Sequence, residues 1–192
     1  MAQTSATSPG TMADDATIGT LAWTNPDNAK VSDNAYAVAT MNYRDEVSEY
    51  AIRIVKSDGT IGTTNKSTGA YLGGVDTYHS YGSSSDLWGE TWSNTDINDV
   101  DFGMVFAFED TYLGTISHYL KATNFGFSIP SGATIDGILA EVEAGSVSDG
   151  PFGGTDYCRV DHIRITVDYT EASSSSTITG ISSMTGVQSI TL

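Results

Sequence analysis

From Val160 to Thr170 the chain alternates. Ile163, Ile165, Val167 and Tyr169 fall on one side, while His162, Arg164, Thr166, Asp168 and Thr170 fall on the other. A period of two marks a strand with one dry and one wet face. Phe125, Phe127 and Ile129 alternate in the same way up to Pro130-Ser131-Gly132, and Ile138, Ala140 and Val142 follow. Two extended runs broken by a Pro-Ser-Gly turn predict antiparallel strands over Phe125–Ile129 and Ile135–Val142. Phe102, Met104, Phe106 and Phe108 predict another over Phe102–Phe108. Earlier strands are expected at Ile18–Trp23, Ala35–Ala39 and Tyr50–Lys56. Asn25-Pro26-Asp27-Asn28 ends the first. After Lys56 the run Ser57-Asp58-Gly59-Thr60 gives a hairpin-type turn, Asp-Gly supplying the positive φ it needs.

Between these runs the pattern fades. Residues 62–99 are rich in Gly, Ser and Asp and carry Tyr71, Tyr78, Tyr81, Trp88 and Trp92, a composition that suits a long loop with binding surface. A loop is also expected over Gly145–Thr155. Residues 1–16 are small and polar, with Ser8-Pro9-Gly10 as a breaker, and read as an arm rather than a core element. Glu171–Ser176 reads as a flexible linker by composition. Beyond it, residues 177–192 turn apolar and carry no charged side chain: Ile178, Ile181, Met184, Val187, Ile190 and Leu192, with an echo of Thr179-Gly180-Ile181-Ser182 in Thr185-Gly186-Val187-Gln188. An uncharged β-prone tail either folds back as an edge strand or docks on another subunit, and the serine linker favours docking. The organisation expected is an arm (1–16), a β-sandwich body (17–170), a linker (171–176) and a docking tail (177–192).

At 192 residues, 39% hydrophobic and with 20 glycines, the chain fits one turn-rich β domain better than a helical bundle. Eight Lys plus Arg against 24 Asp plus Glu leave a net charge of −16. That charge opposes nucleic acid and anionic membrane surfaces as partners. It serves solubility or, where carboxylates cluster, a divalent cation. The single Cys158 allows neither an internal disulfide nor a cysteine-based zinc site, and packs as a small apolar residue. Met1–Ser5 lacks the basic and apolar regions of a secretion signal, and no apolar run is long enough to span a membrane.

Candidate chemistry is sparse. His79, His118 and His162 have no metal-ligand spacing, and His162 is expected at the surface. Ser83-Ser84-Ser85-Asp86 lacks a nucleophile elbow. Glu141 and Glu143 share a strand face about 7 Å apart, a separation seen in glycosidases but common on wet faces. Asp96, Asn98, Asp99 and Asp101 form the nearest approach to a cation loop; no metal or cofactor is expected. Tyr78, Tyr81, Trp88 and Trp92 are candidates for stacking on a glycan; alternatively, Trp88 and Trp92 anchor a loop onto the sandwich.

Several phrases together resemble those of a known family: Ser8–Thr11, Gly19–Pro26, Ser32–Ala37, Asp86–Gly89, Tyr119–Phe127, Ile129–Ile138 and Val160–Val167. In order over residues 8–170, the chain resembles a module of virion structural proteins of tailed bacteriophages, also found in prophage-derived and surface proteins. The resemblance implies an all-β fold, an antiparallel jelly-roll-like β-sandwich, with the arm and tail as extensions. It implies a non-enzymatic virion protein made in the host cytoplasm. The role expected is decoration or cement on the outer shell, with other capsid or tail subunits as partners and a homo-oligomeric arrangement. Two alternatives stand: a tail, neck or fibre component binding host glycan through the Tyr78–Trp92 loops, and a self-assembling extracellular filament subunit.

Overall fold

A computed structural model describes residues 1–41, 47–147 and 156–173. The strands are β1 (Ala2–Gln3), β2 (Thr11–Asp15), β3 (Trp23–Thr24), β4 (Ala37–Met41), β5 (Val47–Val55), β6 (Thr77–Ser83), β7 (Gly103–Asp110), β8 (Thr115–Ile116), β9 (Tyr119–Thr123), β10 (Thr134–Val147) and β11 (Asp156–Thr170). They form two antiparallel sheets packed face to face, the β-sandwich expected. One has the order β3-β4-β11-β10-β6, with β1 also on β11. The other has the order β2-β9-β7-β5, with β8 on β7. The chain crosses between the sheets repeatedly.

Alternation builds the core. Phe106, Phe108 and Met104 from β7 meet Ile138, Ala140 and Val142 from β10 and Ile163, Ile165 and Val167 from β11 in one buried cluster. Trp23 packs edge-on against Phe108, ring centroids 5.6 Å apart. The other face of β7 is dry too. Val105 and Ala107 join Ala51, Val55 and Tyr119 in a second cluster beneath Ile18 and Ile61.

The long hairpin of β10 and β11 is the spine. Its register slips between Glu143 and Ala144, leaving Asp161 as an extra residue on β11. This bulge shifts the phase, so Cys158 and Val160 point inward below it and Ile163 and Ile165 above it. Cys158 is free and fully buried. The outer edge of β11 is stitched by three separate segments: β4 along Asp156–Val160, Lys30 opposite His162, and the first residues of the chain opposite Ile165–Tyr169.

Several expectations need correction. Residues 1–16 do not stand away from the body: β1 and Thr7 pair with β11, β2 is an edge of the second sheet, and Met12 is in the core. The small polar side chains hid this because the segment is held mainly through its backbone. Phe125–Ile129 is no strand. Phe125, Phe127 and Ile129 are buried, but Asn124 and Gly126 take positive φ (58° and 69°) and no ladder forms. Ile129 is instead held by Asn98, whose Oδ1 accepts its N–H at 2.7 Å. Alternation reported burial there, not pairing. The Ile18–Trp23 strand contracts to Trp23–Thr24. β6 and a short helix, α1 (Asn94–Ile97), lie inside the stretch read as loop. The start of the loop expected at Gly145–Thr155 is strand instead, since β10 runs to Val147, and residues 148–155 lie outside the described residues. The tail residues Ile178, Ile181, Met184, Val187, Ile190 and Leu192 lie outside the described residues.

Candidate functional site

The densest group of polar side chains lies on the outer face of the first sheet, where β6, β10 and β11 run side by side. The register places Glu143 between Tyr78 and His162, and Glu141 between Ser80 and Arg164. Tyr78 reaches across Glu143, and its hydroxyl lies 2.8 Å from His162 Nδ1. Ser8 Oγ lies 2.8 Å from His162 Nε2. The Arg164 guanidinium sits 3.9 Å from the Tyr78 ring centroid and donates to both Glu141 oxygens, at 2.7 and 3.1 Å. Asp161, at the bulge, accepts from the N–H groups of Asp33 and Asn34. The cluster thus gathers the first residues of the chain and the segment after Pro26 onto the spine.

His162 is 8% exposed, so its surface expectation is corrected. The same face carries the buried Thr166 and Asp168, and Gln3 donates to Asp168. Burial, then the neighbouring Arg164 cation, pushes the His162 proton affinity below that of free histidine. Burial pushes Asp161 up. Burial, then a hydrogen bond to Glu143, raises Tyr78. Its hydrogen bond to Glu141, outweighing partial burial, raises Arg164. One oxygen of Glu143 is buried beneath this layer without a hydrogen-bond partner among the described residues.

The Ser8–His162 distance is that of a nucleophile–base pair. The group on the second ring nitrogen, however, is a phenol, where an acyl-transfer triad places a carboxylate. The Glu141–Glu143 pairing read as a glycosidase candidate dissolves as well. Glu141 is engaged by Arg164, and Glu143 lies under Tyr78.

The aromatic candidates separate. Trp88 is fully buried, its indole N–H donating to the Ile138 carbonyl at 3.0 Å. Trp92 is 9% exposed, donates to the Leu87 carbonyl and packs edge-on against Phe102. Tyr81 is 5% exposed and donates to Glu49 at 2.8 Å. These three present no flat face to a sugar. They anchor the 84–92 segment and β6 to the core, which corrects the glycan-stacking expectation. Tyr78 alone remains partly exposed, with Arg164 across its ring.

Sequence reasoning missed two further polar groups. Glu49, buried on β5, accepts from Tyr81 and from the N–H and hydroxyl of Thr68. Burial, then the Glu49 charge, drives the Tyr81 phenol far above its ordinary range. Arg159 donates to Asp76 at 2.6 Å and lies over the Tyr36 ring, whose hydroxyl also reaches Asp76. Neither carries a local motif; each joins residues 19 or more positions apart. The acidic run near Asp96 is engaged within the fold. Asp96 caps α1 through Ser93, Asn98 holds Ile129, and Asp99 accepts from the Asp101 N–H. Among the described residues no group of three or more His, Cys, Asp or Glu could hold a metal ion.

Fold and surface together define an acidic β-sandwich whose polar clusters fasten one segment to another. No family model, curated protein or solved structure matches the chain.

Proposed function

We propose that the protein is a non-enzymatic structural subunit of a phage virion, decorating or cementing the outer shell. The observation that carries this reading is how its reactive residues are used. His162 bonds Ser8 and Tyr78, His118 bonds Asp14, and Glu49 bonds Tyr81 and Thr68; each contact ties together distant parts of the chain. Side chains that do chemistry elsewhere are used here as fasteners. The −16 charge adds to the case, since such a surface is repelled by packaged DNA and suits the outside of a shell. The resemblance over residues 8–170 supplies the virion.

Particles made from the genome that encodes the chain provide the test, with and without its gene. The expected result is density for the sandwich at regular positions on the outer shell of the complete particle. Particles lacking it should release DNA at a lower temperature, and adding back pure protein should restore resistance. Unchanged heat resistance without the gene, or a position inside the shell, overturns the proposal.

A further inference from the structure

Among the described residues one sheet edge is left open. β6 ends the order of its sheet, with β10 as its one neighbour there. Elsewhere the edges are covered, short or charged. The outer side of β5 is bonded by the segment that follows it, through Gly62 N–H to Ile54 O, Lys66 N–H to Ile52 O and Leu72 N–H to Val47 O. β3 has two residues, and β2 ends in Asp14-Asp15. β6 reads Thr-Tyr-His-Ser-Tyr-Gly-Ser and carries no Lys, Arg, Asp, Glu or Pro, the residues that normally blunt an edge.

The ladder fixes which β6 groups face outward. Ile165 and Val167 turn their backbone groups away from β10: Ile165 exchanges bonds with Thr7, and the Val167 carbonyl accepts from Thr4 N–H. By alternation Arg164 and Thr166 face β10. Their partners Glu141 and Leu139 face β11, so Ala140 and Val142 face β6. Ile138, in the same phase, donates to the Asp86 carbonyl on that side. Tyr81 and His79, opposite Ala140 and Val142, therefore face β10. Tyr78 and Ser80 are left with N–H and C=O directed out of the sheet.

The chain also carries a segment suited to that edge. Charged residues make up 17% of the sequence, yet residues 174–192 contain none. An extended backbone there would put Ile178, Met184 and Ile190 on one face and Ile181 and Val187 on the other. Neutral edge and neutral tail can meet without the repulsion that the rest of a −16 surface imposes. A tail from the same molecule starts badly placed. Thr170 pairs with Thr134 on the side of β10 away from β6. The rim between is filled by residues 84–86, which lie so close to Gly137 that an added Cβ would come 2.2 Å from the Ser84 carbonyl carbon. A tail from another molecule meets no such detour.

We propose that the C-terminal tail of one copy adds as a strand to the Thr77–Ser83 edge of a second copy. The pairing concerns pure protein, so its failure would leave the capsid reading standing, and the converse holds.

The test uses three full-length chains. Ser80→Pro removes an outward N–H while sparing the β10 ladder, giving a donor without an acceptor edge. Ile181→Asp with Val187→Asp charges the tail, giving an acceptor without a donor. Light scattering should show wild type rising above the monomer mass with concentration, each variant staying monomeric, and their 1:1 mixture forming a dimer. A wild type that stays monomeric, or a Ser80→Pro chain that assembles as wild type does, overturns the proposal. Should Ser80→Pro fail to fold, as read by its far-ultraviolet spectrum, amide exchange on assembled wild type decides. Slow exchange at Tyr78 and Ser80 upholds strand addition, and exchange at the rate of open backbone overturns it.

Discussion

His162 shows how a side chain's position reverses its sequence reading. It alternates onto the wet face, yet Ser8 and Tyr78 close over it and leave it 8% exposed. Glu141, Glu143 and Asp161 favour its cation, but burial and Arg164 outweigh them, so the folded state binds a proton less readily than the unfolded chain does. The stability held by the neutral ring is therefore fully present above the unfolded value of about 6.5 and is lost as pH falls from there through the lower folded value. Wild type should lose unfolding free energy between pH 7.5 and 5.5, and His162→Gln, which cannot titrate, should lose less. Denaturant melts across that window check this; parallel pH profiles would refute it. The alternation in β11 was legible because Ile163, Ile165 and Val167 repeat every second residue. The cover over its other face was not, because Ser8 lies 154 positions from His162 and nothing local couples them.

Among the elements, β7 and β9 are constrained where sequence offers least information. Gly103 faces Thr123 in the ladder, and a Cβ there would fall 1.9 Å from the Ala122 carbonyl oxygen. That atom is backbone and cannot step aside. Gly103→Ala should cost about 1–3 kcal/mol or more, the range for overpacking a filled site. Gly73 has open space around its missing Cβ and no positive φ, so Gly73→Ala should be neutral or stabilise by up to about 1 kcal/mol through the unfolded chain. Chemical denaturation of both variants tests the pair, and equal losses would refute the assignment. At this scale the sequence is clear for β5, β7, β10 and β11, whose apolar side chains repeat with the strand period. It is misleading for Phe125–Ile129, where burial occurs without a ladder, and silent for β6, whose Thr, Tyr, His, Ser and Gly announce no face.

For the whole molecule, charge dominates. Eight cations can pair at most eight of 24 acids, so 16 negative charges repel one another over a small body. Salt weakens this repulsion, the screening length falling from about 30 Å at 0.01 M to about 10 Å at 0.1 M. It also weakens Lys66–Asp86, Arg159–Asp76 and Arg164–Glu141, but such partly exposed pairs contribute about 0–1 kcal/mol each. Repulsion is the larger effect. The melting temperature should therefore rise as sodium chloride goes from 0.01 to 0.2 M; scanning calorimetry measures it, and a fall would mean that the ion pairs prevail.

By itself the sequence determined an acidic β-sandwich without disulfides, because strand periodicity, glycine turns and charge are local or additive properties of the chain. Tertiary structure decided the rest: that the first residues belong to the sheets, that the tryptophans are core, that His162 is enclosed, and that among the described residues β6 is left with an open edge. Those outcomes depend on which distant segments share a ladder, and backbone hydrogen bonds leave no mark on the side chains that a sequence records.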